Sequence, residues 1–335
     1  MIYKKVIGVD VSKLTLDIAL QLSPSKFIMR KCGNTKKHIS TCFKTLFKEY
    51  DLSKEDVLIV AENTGLYTNP LIWSLVEEGY NLWIECPNQF HLSKGFTKGK
   101  NDQIDAQRLA DYGYRNSDKA KLCELSSTSL STLKYLNSER DLIVSEQQKF
   151  KAQITDHKDY VEESEYKDRV KRYNKILKAL KENLDAIDKR IDQIVKNDKV
   201  LKHQLNLLKT IPGVGPKIAL DVIIATLGFK KFDNARQFAS YVGVAPFRYV
   251  SGTSIRSKNK VSKRSKLSLK SNIHMGVVSA IQIEGEFQTY YQRKISEGKN
   301  KMTAINNLRA KMIKRMFAVI KNNKAYQSNY IACWT

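Results

Sequence analysis

Alternation between apolar and polar positions is densest at the start of the chain. KVIGVDVS and LTLDIALQL read as β-branched strands around a turn, and FIMRKCG as a third strand. The apolar spacing then changes to steps of three and four. Ile39, Phe43, Leu46 and Phe47 in KHISTCFKTLFKEY predict a helix. VLIVAE is a short strand of the buried type, PLIWSLVEEGY a helix ended by Gly79, NLWIECP another strand, and NDQIDAQRLADYGY a helix capped by Asn101 or Asp102. The order βββαβαβα over residues 1–120 implies a mixed sheet with helices packed on it, an α/β domain.

Over residues 121–208 the texture changes, with neither Pro nor Gly and charges of both signs around Ile176, Leu180, Leu184, Ile187, Ile191 and Ile194. Those steps of three and four make one apolar seam on a long helix. Leu130 to Ile154 supplies an antiparallel partner, with the polar DHKDYVEESEYKD at the tip. The segment is expected to be either a surface helix pair or a coiled coil that joins copies of the chain, because an exposed seam needs a partner. Residues 209–335 open on the Pro/Gly punctuation TIPGVGPKIAL and continue as a mainly α-helical domain, with MTAINNLRAKMIKRMFAVI its last helix.

Charge adds a direction to this layout. The 335 residues carry 58 Lys and Arg against 34 Asp and Glu, a net charge of +24. Segments 1–120, 121–208 and 209–335 hold +3, +3 and +18 of it. A surplus confined to one third favours a phosphate-tracking surface, and so a nucleic-acid partner ahead of an anionic membrane. Its densest run is Arg256, Lys258, Lys260, Lys263, Arg264, Lys266 and Lys270, with no acid between them. No apolar run approaches the roughly 20 residues of a membrane span, and the basic start is interrupted by Asp10, unlike a secretory signal. A cytoplasmic protein, nucleoid-associated when bound to DNA, is expected. The five cysteines follow no CxxC spacing and are expected to be reduced and mostly buried.

Four acids stand out by position. Asp10 ends an alternating apolar run in the first strand, Glu62 closes the fourth, and Asp102 and Asp105 share one face of the following helix. Alone, Asp102 and Asp105 would serve as a helix cap and a favourable first-turn charge. Taken in order around a βββαβαβ unit, the four have the layout of ribonuclease-H-like folds. There the carboxylates hold Mg²⁺ ions about 4 Å apart for in-line phosphoryl chemistry. Asp17 is an alternative ligand, and Lys94, Lys98 and Lys100 could screen the site or contact phosphate.

Two further motifs lie in the basic third. Ile211-Pro212-Gly213-Val214-Gly215-Pro216-Lys217 matches a helix-hairpin-helix turn, whose backbone N–H groups approach a phosphate; an ordinary turn between helices is the alternative. Ser251 precedes Gly252 in a polar loop flanked by Arg248 and Arg256. No histidine is near it in sequence, so a hydrolase triad is not signalled, and metal or basic groups from elsewhere would have to activate the chemistry.

Together, IGVDVSK, AENTG, KNDQIDAQRLA, IPGVGPKIA, FASYVGVAPFRYVSG and FQTYYQRKISEGKNKMTAI resemble the IS110 family of DEDD transposases. These are bridge-RNA-guided recombinases, with Piv-type DNA invertases as relatives. The resemblance implies a RuvC-like domain at 1–120, an oligomerising coiled coil at 121–208 and a C-terminal transposase domain at 209–335. It implies Asp10, Glu62, Asp102 and Asp105 as the Mg²⁺-binding tetrad and Ser251, which follows the Gly243 to Pro246 turn, as the nucleophile, with Ser254 the second candidate. It further implies strand exchange through a 5′-phosphoserine intermediate, donor and target DNA, a structured noncoding RNA that chooses them by base pairing, and dimers or tetramers whose protomers share the site. The hairpin glycines, Lys217 and the basic run would grip DNA backbone. A RuvC-like junction nuclease that uses the tetrad and water, or a non-enzymatic nucleic-acid-binding protein, would share much of this pattern.

Overall fold

In the computed structural model, residues 3–328 are described apart from 25, 94–100, 126, 246–249, 252–254 and 257–264. The chain divides into two units, Met1–Leu125 and Ser126–Thr335.

The first unit is built on a five-stranded sheet. Strands β1 (Lys5–Val11), β2 (Thr15–Ser23) and β3 (Lys26–Gly33) form an antiparallel meander. Helix α1 (Lys36–Glu49) then crosses to β4 (Val57–Glu62), which pairs parallel with β1 in the register Val9↔Ala61. Helix α2 (Asn69–Glu77) leads to β5 (Asn81–Glu85), parallel to β4, and the short α3 (Pro87–Ser93) precedes α4 (Asp102–Arg115). The strand order is therefore β3-β2-β1-β4-β5, with β1 in the centre.

Both faces of the sheet are buried, so β1 and β4 read as almost unbroken apolar runs. Ile7, Val9, Val11, Ile59 and Ala61 pack with Ile39, Phe43, Leu71 and Leu75 of α1 and α2. The alternate residues Val6, Leu58 and Val60 pack with Leu109 and Ala110 of α4. The expected α/β organisation is observed, a mixed sheet with helices on it, followed by a mostly helical region.

In the second unit, α5 (Thr128–Asp156) and α6 (Glu163–Asn197) run antiparallel. Tyr166 donates to the Ile154 carbonyl at 3.1 Å, the rings of Phe150 and Tyr173 meet at 5.1 Å, and Arg140 pairs with Asp188 at 2.7 Å. The apolar seam of α6 is not uniformly covered: Ile187 and Ile191 enter the unit's core, whereas Ile176 is 40% exposed. The helical run breaks at Asp198, whose carboxylate accepts the Val200 and Leu201 N–H groups and starts α7 (Lys199–Lys209). Helices α8 (Pro216–Thr226), α9 (Ala235–Val242), α10 (Leu267–Ala280), α11 (Glu286–Ser296) and α12 (Lys301–Lys321) complete the unit. A two-residue ribbon, β6 (Val250–Ser251) with β7 (Ile255–Arg256), lies between α9 and α10.

No helix among the described residues is long and apolar enough to cross a membrane. Among the described residues the expectation of mostly buried thiols is not met: Cys32, Cys42 and Cys123 are half-buried and Cys86 is exposed, while Cys333 lies outside them.

Candidate functional site

The period of two along a strand decides which acids can meet. Gly8 and Asp10 follow Val6 on the α4 face of β1, and Glu62 follows Leu58 and Val60 on the same face of β4. The register places Asp10 and Glu62 one step beyond the Val9↔Ala61 pair, at the ends of adjacent parallel strands.

Helix α4 brings the other two. A Cβ on Gly113 would stand 2.5 Å from Val60 Cγ2 and 2.9 Å from Val6 Cγ1, and one on Gly8 only 2.0 Å from the Ala106 carbonyl oxygen. Going backwards along α4 from Gly113 to Ala106 thus moves along β1 from Val6 to Gly8. The next turn, carrying Asp105 and Asp102, arrives at Asp10. Glycine at position 8 lets the helix backbone lie directly on the strand.

The carboxylates are consequently within electrostatic reach of one another. Burial first, and then the negative charges of Asp102, Asp105, Glu62 and Asp17, push the Asp10 carboxyl up to about 6. Asp105 is buried and ion-paired with Arg108 at 3.2 Å. Asn101 takes the cap, accepting the Gln103 N–H at 3.0 Å. Asp102 is therefore not the capping residue. Asp17 lies opposite Asp10 in the β1–β2 register, is 2% exposed, and is paired with Lys31 at 3.2 Å.

Among the described residues, no three His, Cys, Asp or Glu side chains are drawn close enough together to hold an ion as they stand. The donor set is nonetheless the kind a hard divalent cation takes, carboxylate oxygens from two strands and a helix. Like charges hold one another apart, and such a cation is the group whose charge would offset that repulsion.

Two neighbours of the acids have no signal in the sequence. His91 on α3 places Nε2 3.6 Å from Glu62 Oε1. Glu85, opposite Glu62 in the β4–β5 register, accepts the Tyr112 hydroxyl at 2.8 Å. Only the sheet register and the packing of α3 bring these residues to the strand ends.

In the second unit, the hairpin glycines have different settings. Gly213 has φ +79°, and a Cβ there would stand 2.0 Å from the Gly276 carbonyl oxygen of α10, so this glycine serves close helix packing. Gly215 precedes Pro216 at the start of α8 with open space around it. The turn lines a groove of about 570 Å³ with Met275, Gly276 and Ser279. Lys217, expected at a phosphate, points elsewhere. Its Nζ is shared by Asn137 at 2.6 Å, Asp141 at 2.7 Å and Asp221 at 2.9 Å, tying α5 to α8.

Ser251 lies on the β6–β7 ribbon, opposite Ile255, rather than in a plain loop. Gly243, φ +79°, ends α9, and Asn306 on α12 donates to the Val244 carbonyl at 3.1 Å. Just before α10, the Lys266 N–H reaches the Tyr241 carbonyl of α9 at 3.2 Å. Val244 is thus tied to α12, and Lys266 to α9. Of the expected basic contacts, Arg256 has its backbone in β7, Lys266 is exposed and Lys270 half-buried. Arg248, Lys258, Lys260, Lys263 and Arg264 lie outside the described residues, as do Lys94, Lys98, Lys100 and Ser254.

Comparison with known proteins covers both units. Residues 7–159 match the DEDD transposase model of IS110 type, and residues 205–292 match the transposase IS116/IS110/IS902 family. The pilin gene-inverting protein of Moraxella bovis is 24% identical over 332 residues, 96% of this chain and 98% of that protein. The corresponding protein of Moraxella lacunata matches equally far, at 24% identity. An IS110 insertion-element protein of Streptomyces coelicolor is 27% identical over 153 residues, 45% of this chain and 36% of that protein. A DEDD domain implies a divalent metal, and transposition implies DNA binding. With one family's two models matched along the chain, over a mixed sheet whose strand ends and α4 gather the acids, this protein belongs to the IS110/IS116/IS902 family of DEDD transposases.

Proposed function

We propose that the chain cuts and rejoins DNA strands through a 5′-phosphoserine at Ser251, with Mg²⁺ held by Asp10, Glu62, Asp102 and Asp105. The observation that carries this reading is the arrival of the α4 acids at the ends of β1 and β4, where burial first, and then the charges of Asp102, Asp105 and Glu62, raise the Asp10 carboxyl to about 6. Mg²⁺ bound there would supply Lewis-acid polarisation of phosphate oxygens. The Ser251 hydroxyl attacks phosphorus: the bond from its oxygen to phosphorus forms, the bond from phosphorus to the DNA 3′-oxygen breaks, and the serine proton ends on that 3′-oxygen. A 3′-hydroxyl of the partner strand then reverses the step and releases serine. Two phosphodiester exchanges of equal energy need no nucleotide triphosphate, consistent with a sequence that has no GxxxxGK[ST] motif.

The +18 charge of residues 209–335 suits backbone contact with donor and target DNA, and the open start of α8 at Gly215 suits a phosphate. Phosphate contacts carry no base sequence, so site choice on this reading comes from base pairing by a structured noncoding RNA. The antiparallel α5–α6 pair of segment 121–208, with Ile176 uncovered, is the surface proposed to join copies into dimers or tetramers.

The test is a set of single variants in a strand-transfer assay with Mg²⁺. Asp10→Asn and Glu62→Gln should each lower strand transfer by about 10³-fold or more, the scale of losing electrostatic stabilisation at the reacting phosphate, while DNA affinity holds within a few-fold. Full activity in both would refute the metal role. Hydrolysed ends without joined strands would indicate a nuclease that uses the same acids.

A further inference from the structure

The polar neighbour of Glu62 is an imidazole. His91 Nε2 stands 3.6 Å from Glu62 Oε1, and among the described residues no other hydrogen bond or ion pair engages either side chain. The next acid along the sheet is placed differently. Glu85, opposite Glu62 in the β4–β5 register, has both oxygens engaged, one by the Cys86 N–H at 2.6 Å and the other by the Tyr112 hydroxyl at 2.8 Å. Glu62 and His91 thus form the pair left open at the strand ends.

That pair is not what holds α3 in place. Phe90, 1% exposed, packs with Val60, Trp83 and Leu109 between the sheet and α4, its ring 5.8 Å from that of Tyr112. The buried phenylalanine anchors the helix and delivers the following residue, His91, to the end of β4. The His91 side chain is 60% exposed and that of Glu62 16%, so an ion can reach the imidazole from solvent. As a surface ion pair alone, the contact would add little stability.

Distance and chemistry both fit a shared cation. A first-row divalent ion lies about 2.1 Å from a ligating nitrogen or carboxylate oxygen, so two donors to one ion stand no more than about 4.2 Å apart. Nε2 and Oε1 are within that limit as they stand. The DEDD domain implies a divalent metal at these acids, and an imidazole nitrogen at this separation from one of them is a further donor to it. It also bears on which ion is held. Mg²⁺ takes oxygen ligands, whereas later first-row ions bind imidazole more strongly.

We propose that His91 is a metal ligand of the candidate site, sharing a divalent cation with Glu62 and strengthening the binding of nitrogen-seeking ions such as Co²⁺ relative to Mg²⁺. The proposal rests on the reading of Asp10, Glu62, Asp102 and Asp105 as metal ligands, and adds to them a donor from α3.

The test uses the full chain without DNA and the metal ions alone. Co²⁺ and Mg²⁺ are titrated by calorimetry at constant pH and ionic strength, and bound Mn²⁺ is examined by pulsed EPR. Wild-type protein should show Mn²⁺ coupled to a directly bound imidazole nitrogen. His91→Ala, a change at an exposed side chain, should abolish that coupling, weaken Co²⁺ at least tenfold and change Mg²⁺ less than threefold. Glu62→Gln should weaken both ions. No nitrogen coupling in the wild type, or coupling that survives in His91→Ala, would overturn the proposal. Equal losses of Co²⁺ and Mg²⁺ in His91→Ala would overturn it too, showing that His91 acts only by orienting Glu62. The two readings fail separately. Asp10→Asn and Glu62→Gln proteins that bind both ions as the wild type does, or a wild type that binds neither, refute the tetrad and the proposal with it. Acid variants that lose the ions while His91→Ala keeps its Co²⁺ affinity refute the His91 ligand alone.

Discussion

At Asp10 the strand that builds the core ends in a charge. Its neighbours on the same face are Gly8 and Val6, so the carboxyl is half-buried among other acids and its ionised form is disfavoured. Glu286 is the opposite case. Burial alone would raise its pKa, but the hydrogen bonds from Arg315, Lys311 and Tyr326 outweigh it and hold the carboxyl at about 2. The folded value is below the ordinary 4.5, so the ionised form is the stabilising one. That contribution is fully present above the ordinary value and is lost as pH falls towards about 2. Glu286→Gln should therefore cost on the order of 2–3 kcal/mol at pH 7, and the gap to wild type should close as urea titrations are repeated from pH 5 downwards. A gap that is constant with pH would mean that the cluster acts by packing alone.

The elements explain why some site residues were legible in sequence and others were not. Asp10 and Glu62 were legible because an alternating or buried strand that ends in a carboxylate breaks its own pattern. Asp102 and Asp105 were legible because a helix of known start puts them on one face. The cap was left open between Asn101 and Asp102, since both residue types can accept the N–H; the structure gives it to Asn101. The ties of Lys217 are not legible, because its partners Asn137 and Asp141 lie on α5, a separation in sequence that no local motif encodes. The same holds for His91 beside Glu62 and for Asn306 under Val244. As an isolated glycine within a strand, Gly8 carries no signal of its own in the sequence, yet it sets the seat of α4. Gly8→Ala should cost about 1–3 kcal/mol, as overpacking does. It should also lift α4 from β1, lowering strand transfer at least tenfold while DNA affinity is kept. Denaturant titration beside the transfer assay checks both, and an active, destabilised variant would show that the acids do not depend on this seat.

Across the whole molecule, charge and chemistry divide. Residues 1–120 are nearly balanced, 14 acids that include the four of the candidate site against 17 Lys and Arg, and the last third carries +18 with five acids, four of them held by side-chain partners. One unit is suited to holding a cation and the other to holding phosphate. We propose that a serine in the basic unit forms the bond to DNA while the acids of the other support the chemistry. The most direct measurement is mass spectrometry of the protein–DNA adduct trapped on a cleaved cognate substrate with Mg²⁺. One modified peptide is expected, carrying a 5′-phosphate-linked nucleotide on Ser251 and absent in Ser251→Ala and in Asp10→Asn. An adduct on another residue, or cleaved DNA with no adduct at all, would contradict it.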